Sequence, residues 1–99
     1  MAMLKPGFVY MMANRRNGPI YIGSTSDLIQ RVYQHRNRLI EGFTKTYHCC
    51  LLVWFKAYDD IQEARDAERR MKKWNRPWKI KRIENGNPDW RDLWPDIIA

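Results

Sequence analysis

The sequence predicts an α+β fold, a small three-stranded sheet with helices packed on it in the order β-β-α-β-α-α. Three observations carry this prediction. A turn signal, Asn17-Gly18, separates two short runs of strand-forming residues; two later stretches repeat apolar residues at helical spacing; and a compact apolar run lies between those stretches. The 99 residues make one domain, 1–99, with a single modest core and no room for a separate recognition domain.

Phe8-Val9-Tyr10-Met11-Met12 and Ile20-Tyr21-Ile22 flank the turn and read as a hairpin. Side chains alternate across a strand, so Phe8, Tyr10 and Met12 share a face that Tyr21 and Gly23 can join, setting two phenols side by side. Ser24-Thr25-Ser26-Asp27 offers N-caps to a first helix near residues 26–40, whose apolar side carries Leu28, Ile29, Val32, Tyr33, Leu39 and Ile40. Arg36 projects into that stripe, so either the helix loosens early or the arginine lays its stem along the apolar surface. Glu41 to Thr46 reads as a loop, and Cys50-Leu51-Leu52-Val53-Trp54-Phe55 fits a central buried strand.

Asp60 with Glu63 forms a capping-box signature for a second helix that buries Ile61, Ala64, Ala67, Met71 and Trp74. Asn75-Arg76-Pro77 ends it, Trp78 to Ile83 make a further short helix, and Asn85-Gly86-Asn87-Pro88 stops that one. Residues 84–99 form a C-terminal tail. Its Trp90 and Trp94 are unfavourable in free solvent, so the tail is expected to pack back as a helical turn.

The longest apolar run, Cys49 to Phe55, is far shorter than the ~18 residues of a membrane span, and Met1-Ala2-Met3-Leu4-Lys5-Pro6 lacks the apolar stretch of a secretory leader. A cytoplasmic protein is expected. Cys49 and Cys50 are adjacent on a predicted strand and point to opposite faces, which suits small core residues rather than a disulfide framework. His48 beside them does not complete a zinc site, because three of the four histidines and cysteines are contiguous.

The formal charge of +7 is unevenly placed. Between Arg65 and Arg82, nine basic residues face only Asp66 and Glu68, whereas Glu84 to Asp96 is acidic. A concentrated basic surface attracts nucleic acid through counterion release, or it is a solvated helix face that aids solubility. Arg69, Lys72, Lys73, Trp74 and Arg76 are its candidate contacts. Trp74 and Trp78 can stack on bases or serve as core anchors.

Arg31, His35 and Arg38 fall at i, i+4 and i+7 of the first helix and form one strip able to hold a phosphate. The arginine fork matches phosphate oxygens and the histidine can move a proton, although a lone helix histidine is ordinarily structural. Glu68 lies inside the apolar stripe of the second helix, where an unpaired carboxylate is costly. It requires a cation: a bound metal, for which Mg²⁺ with water and phosphate oxygens is typical, or an intrahelical partner among Arg65, Arg69 and Lys72.

Phe8-Val9-Tyr10, Tyr21-Ile22-Gly23-Ser24-Thr25, Arg31, His35, Lys45-Thr46-Tyr47 and Glu68-Arg69-Arg70-Met71-Lys72-Lys73-Trp74 in that order resemble the GIY-YIG nuclease domain, from about Gly7 to Ile83. The likeness is closest to the small free-standing bacterial branch described as endonucleases. The first tripeptide departs from the family pattern, keeping its tyrosine with a glycine displaced to Gly7.

The resemblance implies an antiparallel sheet and hydrolysis of phosphodiester bonds in DNA, including structured or damaged DNA. Glu68 would ligate one divalent cation, Mg²⁺ or Mn²⁺. Tyr10 would activate water as base or proton relay, Tyr21 would stand adjacent, Arg31 would stabilise phosphoryl charge, and His35 would position water or relay a proton. Gly23 would leave room near the tyrosines, and Lys45 and Tyr47 would contact phosphate. A protein partner supplying target choice is compatible with so small a chain. Two other readings compete: a basic nucleic-acid-binding module without turnover, and an interaction domain using the tail tryptophans.

Overall fold

Strand β1 (Gly7–Ala13) is the middle strand of the sheet in the computed structural model, which describes residues 5–99. The part of the leader reading that falls on residues 1–4 lies outside the described residues. β2 (Ile20–Thr25) pairs antiparallel with one edge of β1, and β3 (Leu51–Tyr58) pairs antiparallel with the other, giving the order β2-β1-β3. This is the α+β architecture expected, with one correction: the third strand is an edge strand, not the central one.

The reason lies in β1. Val9, Met11 and Ala13 bury one face while Tyr10 and Met12 bury the other, so β1 is covered on both sides. In β3 the apolar run stops early, and Phe55, Lys56 and Ala57 are exposed. Cys49 and Cys50 precede β3 and are free thiols; Cys49 is buried, and that burial pushes its pKa up to about 11.

Helix α1 (Leu28–Arg36) starts at Asp27, whose carboxylate accepts from the Gln30 amide at 3.1 Å. It ends four residues before the predicted limit. Both fates read for Arg36 occur together: the helix stops there, and the guanidinium reaches out to pair with Asp92 while lying 5.1 Å over the Trp94 ring. Leu39 is exposed, so the apolar stripe was extended too far. The Glu41–Thr46 segment is also corrected. It contains a short helix, α2 (Phe43–Thr46), entered through Gly42 at φ +117°, a conformation that favours glycine.

Helix α3 (Ile61–Lys72) begins at Asp60, which accepts from the Gln62 amide at 3.0 Å. It buries Ala64, Ala67 and Met71 against the Val9–Met11 face. Helix α4 (Arg76–Gly86) is capped by the Asn75 side chain, which accepts from the Trp78 amide at 3.0 Å, and buries Ile83 in the same core. The remaining residues close over the edge of β3 and end in α5 (Trp94–Ile98).

Leu93 N–H donates to the Leu52 carbonyl at 2.8 Å, Asp92 accepts from the Leu52 amide at 3.2 Å, and the Asn87 amide donates to the Val53 carbonyl at 3.1 Å. These bonds occupy backbone groups that an edge strand otherwise leaves open. Trp90 is buried with its indole N–H donating to Glu84, and Trp94 is half-buried beneath Arg36. Trp90 therefore serves the fold and offers no exposed indole to a partner, while Trp94 keeps part of its surface open. No helix among the described residues is long and apolar enough to cross a membrane.

Candidate active site

The hairpin register sets Tyr10 opposite Gly23 and Met12 opposite Tyr21. A Cβ at position 23 would stand 2.5 Å from the Tyr10 hydroxyl oxygen and 2.6 Å from its Cζ, so the absent side chain is the space through which the Tyr10 phenol passes. The two tyrosine rings lie 6.2 Å apart. His35, on α1, completes a three-ring cluster at 5.5 Å from Tyr10 and 5.4 Å from Tyr21.

A buried hydrogen-bonded chain runs through this cluster. The Tyr10 hydroxyl and His35 Nε2 are 2.8 Å apart, and His35 Nδ1 is 2.9 Å from Thr44 Oγ1 on α2. With the phenol donating to Nε2, the Nδ1–H donates to the threonine hydroxyl, and every polar atom has a partner. Tyr10, His35 and Thr44 are all buried. Burial, with Tyr21 adding, raises the Tyr10 pKa well above its ordinary value, while Arg31 pulls the other way. Burial and then the nearby Arg31 charge push His35 down to about 4. At neutral pH the pair is uncharged.

The other half of the site comes from the opposite face of the sheet. Ser24 pairs with Val9 and so points toward α3, where its hydroxyl donates to Glu68 Oε1. Glu68 Oε2 is 2.6 Å from Lys72 Nζ, and the same ammonium lies 5.6 Å over the Tyr21 ring. The Glu68 side chain keeps 19% of its surface exposed, which leaves it reachable by solvent. The site thus wraps around edge strand β2, with phenols and imidazole on one side and the carboxylate on the other. Of the partners weighed for Glu68 within its helix, Lys72 is the one that pairs; Arg69 pairs with Asp66 instead.

The remaining candidates separate by position. Arg31 is half-buried near Tyr10. Arg38 does not continue the strip with Arg31 and His35: the helix has ended, its φ is +55°, and its guanidinium bonds His48 Nδ1 at 2.9 Å. Gly7 lies away from the tyrosines, where a Cβ would come within 2.7 Å of the Ile61 backbone, so it permits close approach of α3 to β1. Lys45 pairs with Glu41, and Tyr47 stacks at 4.6 Å on Phe43, which itself lies 6.2 Å from Tyr21. Arg76 donates to the Asn17 and Gly18 carbonyls at 2.6 and 2.8 Å and clamps the hairpin turn. Lys73 is the exposed C-cap of α3, and Trp74 packs half-buried beside the core.

Two contributors were not foreseen. Ser24 had a signal, since strand alternation places it opposite Gly23 and toward the helix carrying Glu68. Thr44 had none, because a four-residue helix is too short for periodicity to show.

The fold and site together define an α+β domain in which two tyrosines, a histidine, an arginine and a carboxylate gather at one sheet edge. Residues 6–81 match the family model described as the GIY-YIG catalytic domain, and the chain belongs to that family of hydrolytic nucleases. A UPF0213 protein from Pediococcus pentosaceus is 31% identical over 75 residues, covering 76% of this chain and 79% of the relative. A UPF0213 protein from Staphylococcus epidermidis is 32% identical over 79 residues, covering 80% and 95%, and one from Staphylococcus saprophyticus is 30% identical over 71 residues, covering 72% and 87%. No solved structure matches.

Proposed function

We infer that this protein is a divalent-cation-dependent endonuclease that hydrolyses phosphodiester bonds in DNA. The observation that carries the reading is the convergence at β2 of a solvent-reachable carboxylate, Glu68, with the Tyr10–His35–Thr44 chain. Nuclease-type chemistry is the family's, and its members generally use a divalent metal.

The residues present fit a hard, largely hydrated cation. Among the described residues no group of three or more His, Cys, Asp or Glu side chains converges, so Glu68 would be the one carboxylate, with the Ser24 hydroxyl beside it and phosphate and water as the other oxygens. Mg²⁺ or Mn²⁺ suits such oxygens. When bound, the cation would neutralise phosphate charge and stabilise the leaving oxygen. Lys72, half-exposed on a flexible stem, holds the carboxylate in its place otherwise.

The chain's own groups then divide the work. Tyr10 is fully buried and Tyr21 half-buried, so Tyr21 is the phenol nearer solvent and orients the attacking water. As the water oxygen bonds to phosphorus, its proton passes to the Tyr10 oxygen while the Tyr10 proton passes to His35 Nε2. The bond to the departing strand oxygen breaks, that oxygen takes a proton from solvent, and His35, whose charged form burial disfavours, returns its proton through the Tyr10 oxygen to water, restoring the neutral pair. This relay never requires a free phenolate, which the raised Tyr10 pKa disfavours. Arg31 offers its fork to the non-bridging oxygens. Arg69, Lys72, Lys73, Trp74 and Arg76, with Arg38, Lys45 and Tyr47, are the proposed wider nucleic-acid contacts.

A binding module without turnover is the second reading, and the Glu68–Lys72 pair favours it, since that carboxylate has a structural partner without any cation. Incubation with branched, nicked, single-stranded and duplex DNA and with RNA, in Mg²⁺, Mn²⁺ or EDTA, separates the two. Cutting that needs both metal and Glu68 supports the endonuclease. Binding without cutting of any substrate supports the second reading.

A further inference from the structure

Outside the catalytic cluster, α4 carries another stripe of functional side chains. Trp78, Lys81, Arg82 and Asn85 recur at i, i+3, i+4 and i+7, the spacing that aligns residues on one helix face. With Trp74 they line a cleft of about 400 Å³, large enough for a small ring system. Trp74 is held by the protein: its ring meets the Trp78 ring edge-on at 6.1 Å, and the Arg82 guanidinium lies 5.1 Å over it. Trp78 is different. It is 59% exposed and supplies the accessible aromatic surface of the cleft.

Among the described residues no carboxylate pairs with Lys81 or Arg82, so the cleft keeps its positive charge. An indole beside two cations and an amide is suited to a nucleotide: the base stacks, the cations meet neighbouring phosphates, and the amide both donates to and accepts from the base edge. We propose that this cleft, along one face of α4 and flanked by Trp74 of the α3–α4 connection, binds one unpaired nucleotide of the nucleic acid being processed, as a holding site separate from the Tyr10–Glu68 cluster. It rests on the nucleic-acid part of the reading above and not on cleavage.

The chain path supports the link. Trp74 follows Glu68 by six residues, just past the end of α3 at Lys72, with Lys72 and Lys73 between them. A strand lying on Glu68 therefore has cationic side chains leading toward the cleft. Bases within a duplex are stacked on one another and offer no face to Trp78, so the cleft selects unpaired strand.

The test uses the full chain carrying Glu68→Gln, in EDTA, with labelled oligothymidine or a blunt-ended duplex of two strands, read by fluorescence anisotropy. Trp78→Ala is expected to weaken single-strand binding about tenfold, with Trp78→Phe retaining most of it and the duplex far less affected. Lys81→Ala should flatten the salt dependence. Unchanged single-strand affinity in folded Trp78→Ala protein overturns the proposal, as does an equal loss for duplex. A polyglutamate peptide that binds more tightly than oligothymidine and depends on Trp78 also overturns it, in favour of an acidic protein partner. Cleavage by the unmutated chain is followed in parallel. Cutting without any Trp78 effect on binding sinks the cleft alone, whereas Trp78-dependent binding without cutting upholds the cleft and sinks the nuclease reading alone.

Discussion

The Tyr10 hydroxyl and His35 Nε2 lie 2.8 Å apart, buried, and joined across the interface between the central strand and α1. Because Thr44 holds the other ring nitrogen, neither group can lose its partner without leaving a buried polar atom unpaired. Tyr10→Phe strands Nε2 and is expected to cost about 1–3 kcal/mol in urea unfolding. His35→Phe strands both hydroxyls and should cost a similar amount. The double variant should cost less than the sum, and a strictly additive result would mean the pair is not coupled. Cleavage by Tyr10→Phe should fall by about 100-fold if the relay operates.

The depressed His35 pKa makes stability depend on pH in a defined window. Folded His35 titrates at about 4, below its ordinary 6.5, so between those values the unfolded chain binds more protons. Stability is therefore complete above about pH 6.5 and is lost as pH falls toward 4, by on the order of 3 kcal/mol. Urea unfolding at a series of pH values checks this. A His35→Gln variant should lose that part of the dependence, and an unchanged slope would place the acid sensitivity elsewhere.

Gly23 makes a steric claim that a single methyl group tests. In Gly23→Ala the new Cβ would lie 2.5 Å from the Tyr10 oxygen and 2.9 Å from Tyr21 Cε2, so one or both rings must move. The expected result is a folded protein, destabilised by roughly 1–3 kcal/mol, with greatly reduced cleavage. Full activity would show that Tyr10 need not occupy this channel. Gly7→Ala is the control for stability alone, because the contact there is with Ile61.

Much of this architecture was legible in the sequence because it is written in periodicity. Alternation around Asn17-Gly18 gave the hairpin and the shared face of Tyr10 and Tyr21, and the Asp60 cap and apolar repeat gave α3. Strand order was not legible in the same way. Both Phe8–Met12 and Cys50–Phe55 are apolar runs, and which becomes central is decided by whether helices cover both faces. The Arg31, His35, Arg38 strip failed for another reason: the helix end was set by Arg36 leaving to meet Asp92, a partner fifty-six residues away. Thr44 acquires its role only when α2 meets α1 at His35.

Glu68 and Lys72 offer a way to separate a metal carboxylate from a structural ion pair. If Glu68 binds the cation, Glu68→Gln should lower cleavage by at least about 100-fold while changing stability little, because a pair with a half-exposed lysine is worth at most about 1 kcal/mol. Lys72→Met should lower the Mg²⁺ concentration needed for half-maximal cutting, since it frees the carboxylate from a competing charge. A higher metal requirement in Lys72→Met would indicate that the lysine supports the site instead of competing for Glu68.

Asp92 makes three side-chain hydrogen bonds, as many as Asn87, and they join the tail to β3 at Leu52, to α1 at Arg36 and to its own Trp94. One carboxylate oxygen accepts from the Leu52 and Trp94 amides at 3.2 and 3.1 Å, and the other pairs with Arg36, which in turn donates to the Cys50 carbonyl at 3.3 Å. Asp92→Ala removes all three acceptor contacts and leaves Arg36 half-buried over Trp94 without its carboxylate. A loss of about 2 kcal/mol is expected after allowance for the solvent exposure of the pair. In thermal unfolding that corresponds to a fall in Tm of roughly 8–16 °C for a domain of this size. Asp92→Asn retains the acceptor toward the two amides and should recover about half. If Asp92→Ala melts like the unchanged protein, the tail is held by burial of Trp90 and the Asn87 bonds, and Arg36–Asp92 contributes nothing measurable.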